Sequence, residues 1–134
     1  MQKCIKTEVI GCPCHLIYNN QAMFEIAETF PNQEEPLEAI SGDGRESFEA
    51  TIRFFLILAR QAELVRGYYG YPQKQVPDQD TISRVADVGD WLKMKNAIFA
   101  AIVLGTEHHV EPSEDIDVTL MEFQNEKNAE SPQA

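Results

Sequence analysis

Apolar and polar positions change period twice along this chain. In residues 1–18 the stretch "CIKTEVI" alternates roughly every second position, Gly11 and Pro13 interrupt it, and "HLIY" resumes. That pattern predicts two short strands around a turn, a β-hairpin. Pro13 has no amide hydrogen to give, so it is expected in the turn or on an unpaired edge. From residue 19 the period becomes helical. Asn19 or Asn20 is placed to cap a helix running through Phe30, with Met23, Ile26, Ala27 and Phe30 on one face and Pro31 as the stop. A second short helix is expected from Pro36, carrying Leu37 and Ile40 and ending before Gly42.

The strongest periodicity lies in "SFEATIRFFLILARQAELVRGYY". Phe48, Ile52, Phe55, Ala59, Ala62, Val65 and Tyr69 recur at three- and four-residue steps, and Phe54, Leu56, Ile57 and Leu58 widen the stripe at its centre. A helix covered over much of its circumference follows, with charge pushed to Arg53, Arg60, Glu63 and Arg66. Asp43 and Glu46 have the spacing of a reciprocal capping pair at its start. Arg45–Glu49 and Glu49–Arg53 are spaced for ion pairs worth roughly 0.2–0.5 kcal/mol each. Gly67, Gly70 and Pro72 end the helix, and a polar link follows. Residues 81–86 offer a turn or two of helix with Ile82 and Val85 inward. Asp87 is the expected cap of a last long helix that stops with Gly105 in the C-terminal cap position. Val88, Trp91, Leu92, Ile98 and Ile102 give that helix its bulk, with Trp91 in the core, and Ala97, Ala100 and Ala101 permit close approach of another helix.

The expected fold is therefore mainly α: a compact bundle of four to five helices behind an N-terminal β-hairpin, forming one domain over residues 1–105. Beyond Gly105 come eight acids and one lysine. Residues 106–134 read as an acidic, partly disordered tail, in which Ile116, Val118, Leu120 and Phe123 break the polarity and "IDVTL" alternates as a short strand does.

Charge narrows the function classes. With 22 acidic residues against 11 basic, the net charge is −11. No basic cluster is present to meet a nucleic-acid backbone or an anionic membrane. The longest apolar run, residues 97–104, falls well short of the roughly 20 residues that cross a bilayer. No secretory signal stands at the start, so the expectation is a reducing cytoplasm in which three cysteines stay as thiols.

Chemistry is concentrated in "GCPCHLIYNN". Cys12 and Cys14 with Cys4, and His15, His108 or His109 as a fourth ligand, compose one conceivable zinc set. The C-x-C spacing is tighter than structural zinc pairs use, and a thioredoxin-like redox pair needs C-x-x-C at a helix start. Ordinary thiols and turn residues are the simpler reading. His108 and His109, beside Glu107 and Glu111, are adjacent in what reads as a solvated turn, where neighbouring side chains diverge. Nucleophile elbows, phosphate loops and dinucleotide fingerprints are missing, so no catalytic residue, metal or cofactor is expected. Tyr68, Tyr69 and Tyr71 form an aromatic corner. Tyr69 extends the core stripe, Tyr68 and Tyr71 edge a helix junction, and such a corner is suited to touch a partner.

The succession "LIYNNQAMFEIAETF", "SFEATIRFFLILARQAELVRGYYGY" and "DWLKMKNAIFAAIVLG" resembles the tail assembly chaperones of long-tailed bacteriophages over residues 15–105. The likeness rests on the order of elements and their apolar spacing; the first fourteen residues have no counterpart in it. It implies a non-catalytic factor in the host cytoplasm, absent from the mature virion, that binds the tape measure protein and assists tail tube assembly. The tail tube protein is a further implied partner, and this chain would correspond to the short form of a protein often made in two lengths. Helix 46–69 and the 110–123 segment, with Ile116, Val118, Leu120 and Phe123, are the expected client surface. Self-association through Ala97 and Ala101 is a second expectation. The alternative is a small cytoplasmic regulatory or adaptor module that binds another protein, in one version stabilised by metal at Cys4, Cys12 and Cys14.

Overall fold

Gly11 allows the first reversal. In the computed structural model, which describes residues 3–32 and 35–107, strands β1 (Ile5–Val9) and β2 (Cys12–Leu16) pair antiparallel with Val9 opposite Cys12. The two-residue turn places Ile10 at φ 49° and Gly11 at φ 74°. Positive φ at both turn positions matches the right-handed twist of the strands, and Gly11 tolerates it without a Cβ penalty. Pro13 sits inside β2, opposite Glu8, and not in the turn. Counting from the hydrogen-bonded Val9–Cys12 pair, position 13 directs its nitrogen away from β1, so no ladder bond is lost.

Just past β2, on that same outward side, the Ile17 amide donates to the Leu58 carbonyl at 3.2 Å and docks the hairpin on the longest helix. Helix α1 (Asn20–Thr29) is capped by Asn19, whose side chain accepts the Ala22 amide at 2.8 Å. The Asn19 amide group also donates to Gln61 Oε1 at 3.2 Å. These bonds fix the rotation of α1. Ala22, Ile26 and Phe30 are buried, whereas Met23 and Ala27 face solvent. The expected face was one residue out of phase on its N-terminal side.

A 3-10 turn at Pro36–Ile40 drives Ile40 into the core. Helix α2 (Arg45–Tyr68, 24 residues) is the central element. Its expected Asp43–Glu46 capping pair does not form: Gly44 is the N-cap and no side chain caps it. Instead the Ser47 hydroxyl donates to the Gly42 carbonyl at 2.8 Å. Ile52, Phe54, Phe55, Leu56, Leu58 and Ala59 are all buried, each large side chain contributing roughly 1.5–3 kcal/mol relative to exposure. Neither arginine pair with Glu49 closes; Arg53 lies over the Phe30 ring at 5.1 Å. At the C-terminal end Gly70 takes φ 87°, its amide bonding the Gly67 carbonyl while the Tyr71 amide bonds that of Arg66. This is a Schellman closure, which satisfies carbonyls that would otherwise be orphaned.

Helix α3 (Gln79–Val85) buries Ile82 but leaves Val85 exposed. Helix α4 (Val88–Thr106) opens with a reciprocal box, Asp87 accepting the Asp90 amide and Asp90 accepting the Asp87 amide. Its buried stripe is Met94, Ala97, Ile98 and Ala101, while Trp91 and Ile102 are half-buried and Val88 is 81% exposed. Trp91 packs edge-on against Phe48 at 5.3 Å and donates to Thr51 Oγ1 at 3.3 Å. The helix runs one residue past Gly105, whose role is close approach: a Cβ there would collide with the Tyr18 carbonyl oxygen. The result is a compact, mainly α bundle of four helices behind a short antiparallel hairpin. No helix among the described residues is long and apolar enough to cross a membrane.

Candidate functional site

The thiol and imidazole groups of the hairpin divide between its two faces. Cys12 and Cys14 share the core-facing side, and the Cys14 thiol contacts the Cys12 carbonyl at 3.5 Å. Burial pushes the Cys14 thiol up to about 11, and burial likewise raises Cys4. A thiol held in that state is a poor nucleophile and a poor metal ligand at neutral pH. Among the described residues all three cysteines are free and no group of three His, Cys, Asp or Glu side chains converges on a metal-sized centre. His108, His109 and Glu111 lie outside the described residues.

His15 faces the other way and meets two residues that sequence spacing assigned to solvent. Glu63 and Arg66 are buried. Arg66 Nη1 donates to Glu63 Oε1 and to the Pro72 carbonyl, both at 3.0 Å. The Lys74 amide also donates to Glu63 Oε1, and the Gln73 side chain bonds the Glu63 carbonyl. Arg66 further lies over the Tyr71 ring at 5.6 Å. The link after α2 is thus folded back over Glu63 and Arg66 and removes them from water. His15 Nδ1 is buried without a hydrogen-bond partner, 3.8 Å from Glu63 Oε2. Burial, then the charges of Arg66 and Lys74, hold this imidazole below the ordinary histidine range. Glu63 Oε1 and Arg66 Nη1 spend their hydrogen bonds inside the chain, as a buried clasp.

The tyrosine corner is exposed as a group. Tyr68 and Tyr69 stack edge-to-face at 5.0 Å, and Tyr69 is not part of the core stripe: the Schellman turn swings it to the surface beside Tyr71. Leu64, one turn earlier on α2, is exposed with them. Of the expected client helix 46–69, only this end exposes large apolar side chains; elsewhere its exposed positions are charged, at Glu46, Glu49, Arg53 and Arg60. Ile116, Val118, Leu120 and Phe123 lie outside the described residues.

Sequence reading missed an apolar surface on the last helix. On α4, opposite the buried stripe, Leu92, Phe99 and Val103 are 59%, 45% and 56% exposed. Asn96 stands between them, also exposed, giving steps of four, three and four residues. Near the end of the helix this row joins a shallow groove of about 390 Å³, lined by Ile5, Phe99, Ala100, Val103, Leu104 and Glu107. The signal was present as the unbroken apolar run 97–104, which a one-sided helix does not need. Ala97 and Ala101, expected to pair between subunits, are instead consumed within the chain against the core. Comparison of the chain with protein-family models, curated proteins and solved structures gave no match.

Proposed function

We propose that this protein is a non-catalytic chaperone that holds an amphipathic helical polypeptide on the outer face of α4. The observation that carries the reading is the two-sided apolar character of that helix. One stripe is buried in the bundle and the other, Leu92–Phe99–Val103, is covered by no other element among the described residues. Helices apolar around most of their circumference are stable when covered on both sides. The four-three-four spacing is that of a helix-pairing seam, and Asn96 within it is the kind of polar residue that sets register at some cost in affinity. A net charge of −11 keeps such a surface dispersed.

The tape measure protein of a long-tailed phage is the client to which the likeness of residues 15–105 points, with tail tube assembly as the process served. Co-expression tests this directly. Long helical tape measure fragments should become soluble and co-purify with the chain; fragments equally soluble without it would remove the chaperone role. An adaptor for some other helical protein would use the same α4 surface. A gene placed between those of a tail tube protein and a very long helical protein separates the two readings in favour of assembly.

A further inference from the structure

The groove at the end of α4 has an occupant within reach in the same chain. We propose that residues 110–123 seat in it, covering Phe99 and Val103 until a client displaces them. The inference rests on the reading of α4's outer face as a docking surface, and it makes 110–123 a cover for that face and not part of the client site.

Three observations support this occupant over a second copy. First, the described chain ends at Glu107, itself a lining residue of the groove. An extended stretch from there to Ile116 spans up to about 30 Å, and Phe99 lies only about 12 Å back along the helix. Second, Ile5 belongs to β1, which among the described residues is paired on one side only, while β2's outer side is already docked on α2. The groove thus lies between an apolar helix row and an edge strand. An alternating segment such as "IDVTL" suits that position, with Ile116, Val118 and Leu120 inward. Third, the charges complement each other. Lys3 precedes Ile5 by two residues and Lys93 stands two turns from Ala100 on the same side of α4, both exposed, against one acid, Glu107, in the groove lining. Glu111, Glu114, Asp115 and Asp117 accompany the apolar residues of the segment. Two copies of a chain at −11 would instead repel.

Photo-crosslinking in the full chain tests the proposal without any client, so its failure is separate from failure of client binding. With p-benzoylphenylalanine in place of Phe99, irradiation should give a product of monomer mass joined to residues 110–123. Its yield should survive about tenfold dilution and fall at least about fivefold when Ile116→Asp and Val118→Asp are introduced together, because docking and not tethering sets it. Those two substitutions leave the described bundle untouched, and unchanged circular dichroism would confirm it. A product of dimer mass would assign the groove to a second copy and overturn the proposal. A yield indifferent to the double variant, or no product within 110–123, would overturn it equally.

Discussion

The amide of Ile10, at the tip of the hairpin, donates to Asp90 Oδ1 at 3.1 Å, joining residues eighty positions apart. The other oxygen of the same carboxylate accepts the Asp87 amide at 3.0 Å. One side chain therefore closes the first turn of α4 and latches the hairpin onto it. The Asp87 amide first, and the Ile10 amide second, hold this carboxyl below the usual aspartate range. Asp90→Ala should cost about 1 kcal/mol, the usual worth of a lost cap bond. Because the folded pKa is depressed, the difference from wild type should be full above the unfolded value and vanish as pH falls through the folded one. Urea melts of both proteins across that acidic range provide the check; a gap that persists at the lowest pH would contradict the latch.

The clasp formed by Glu63 and Arg66 makes a larger prediction. Removing one member of a buried pair strands the other, at roughly 3–5 kcal/mol. Glu63→Ala should therefore destabilise strongly and free the link that Glu63 and Arg66 hold through the Lys74 amide and the Pro72 carbonyl. Limited trypsin digestion should then cut after Lys74 well before the bundle is degraded. Unchanged cleavage kinetics would mean the link is held elsewhere.

His15 adds a pH dependence of its own. Its folded pKa is lowered from the ordinary 6.5, by burial first. As pH falls below that value, the unfolded chain takes up a proton that the folded chain resists, so stability is present above it and declines below. Lys6 across the hairpin, Arg66 and Lys74 oppose the added charge, and Glu63 alone favours it. Melting midpoints measured above and below 6.5 should fall on acidification in wild type and stay flatter in His15→Gln. Parallel curves would rule out this histidine as the cause.

Gly105 gives a test of sign. It is helical, and glycine-to-alanine exchange inside a helix ordinarily gains about 1 kcal/mol. Here the new methyl group would collide with the Tyr18 carbonyl oxygen, which belongs to backbone and cannot swing away. Gly105→Ala should lower the melting temperature, and a rise would show that the close approach of α4 to Tyr18 is not tight.

Local signals were legible in the sequence where the stabilising partner is also local. The hairpin, the Asn19 and Asp87 caps, the extent of α2 and the glycine stop after Tyr68 all followed from neighbours a few residues away. Rotation of a helix about its axis was less legible. Met23, Val85 and Val88 are apolar at helical spacing, yet their burial depends on which element arrives from elsewhere, and among the described residues none covers them. The Asp43–Glu46 pair had a suitable spacing and lost to a start at Gly44, while Asp87–Asp90, with aspartate in the third position, formed the box. Glu63 and Arg66 read as a solvated face because the link that buries them has no apolar pattern of its own. For the site, the tyrosine corner was foreseen as exposed only in part, and the α4 row was misread as internal bulk through Leu92.

The most direct test of the account is titration of a helical tape measure fragment against the full chain and against Phe99→Asp with Val103→Asp. Both positions are exposed, so the double variant should melt with the wild type. Affinity should fall at least about tenfold, ~1.4 kcal/mol. Equal affinity from an equally stable variant would contradict the claim that this face of α4 holds the client.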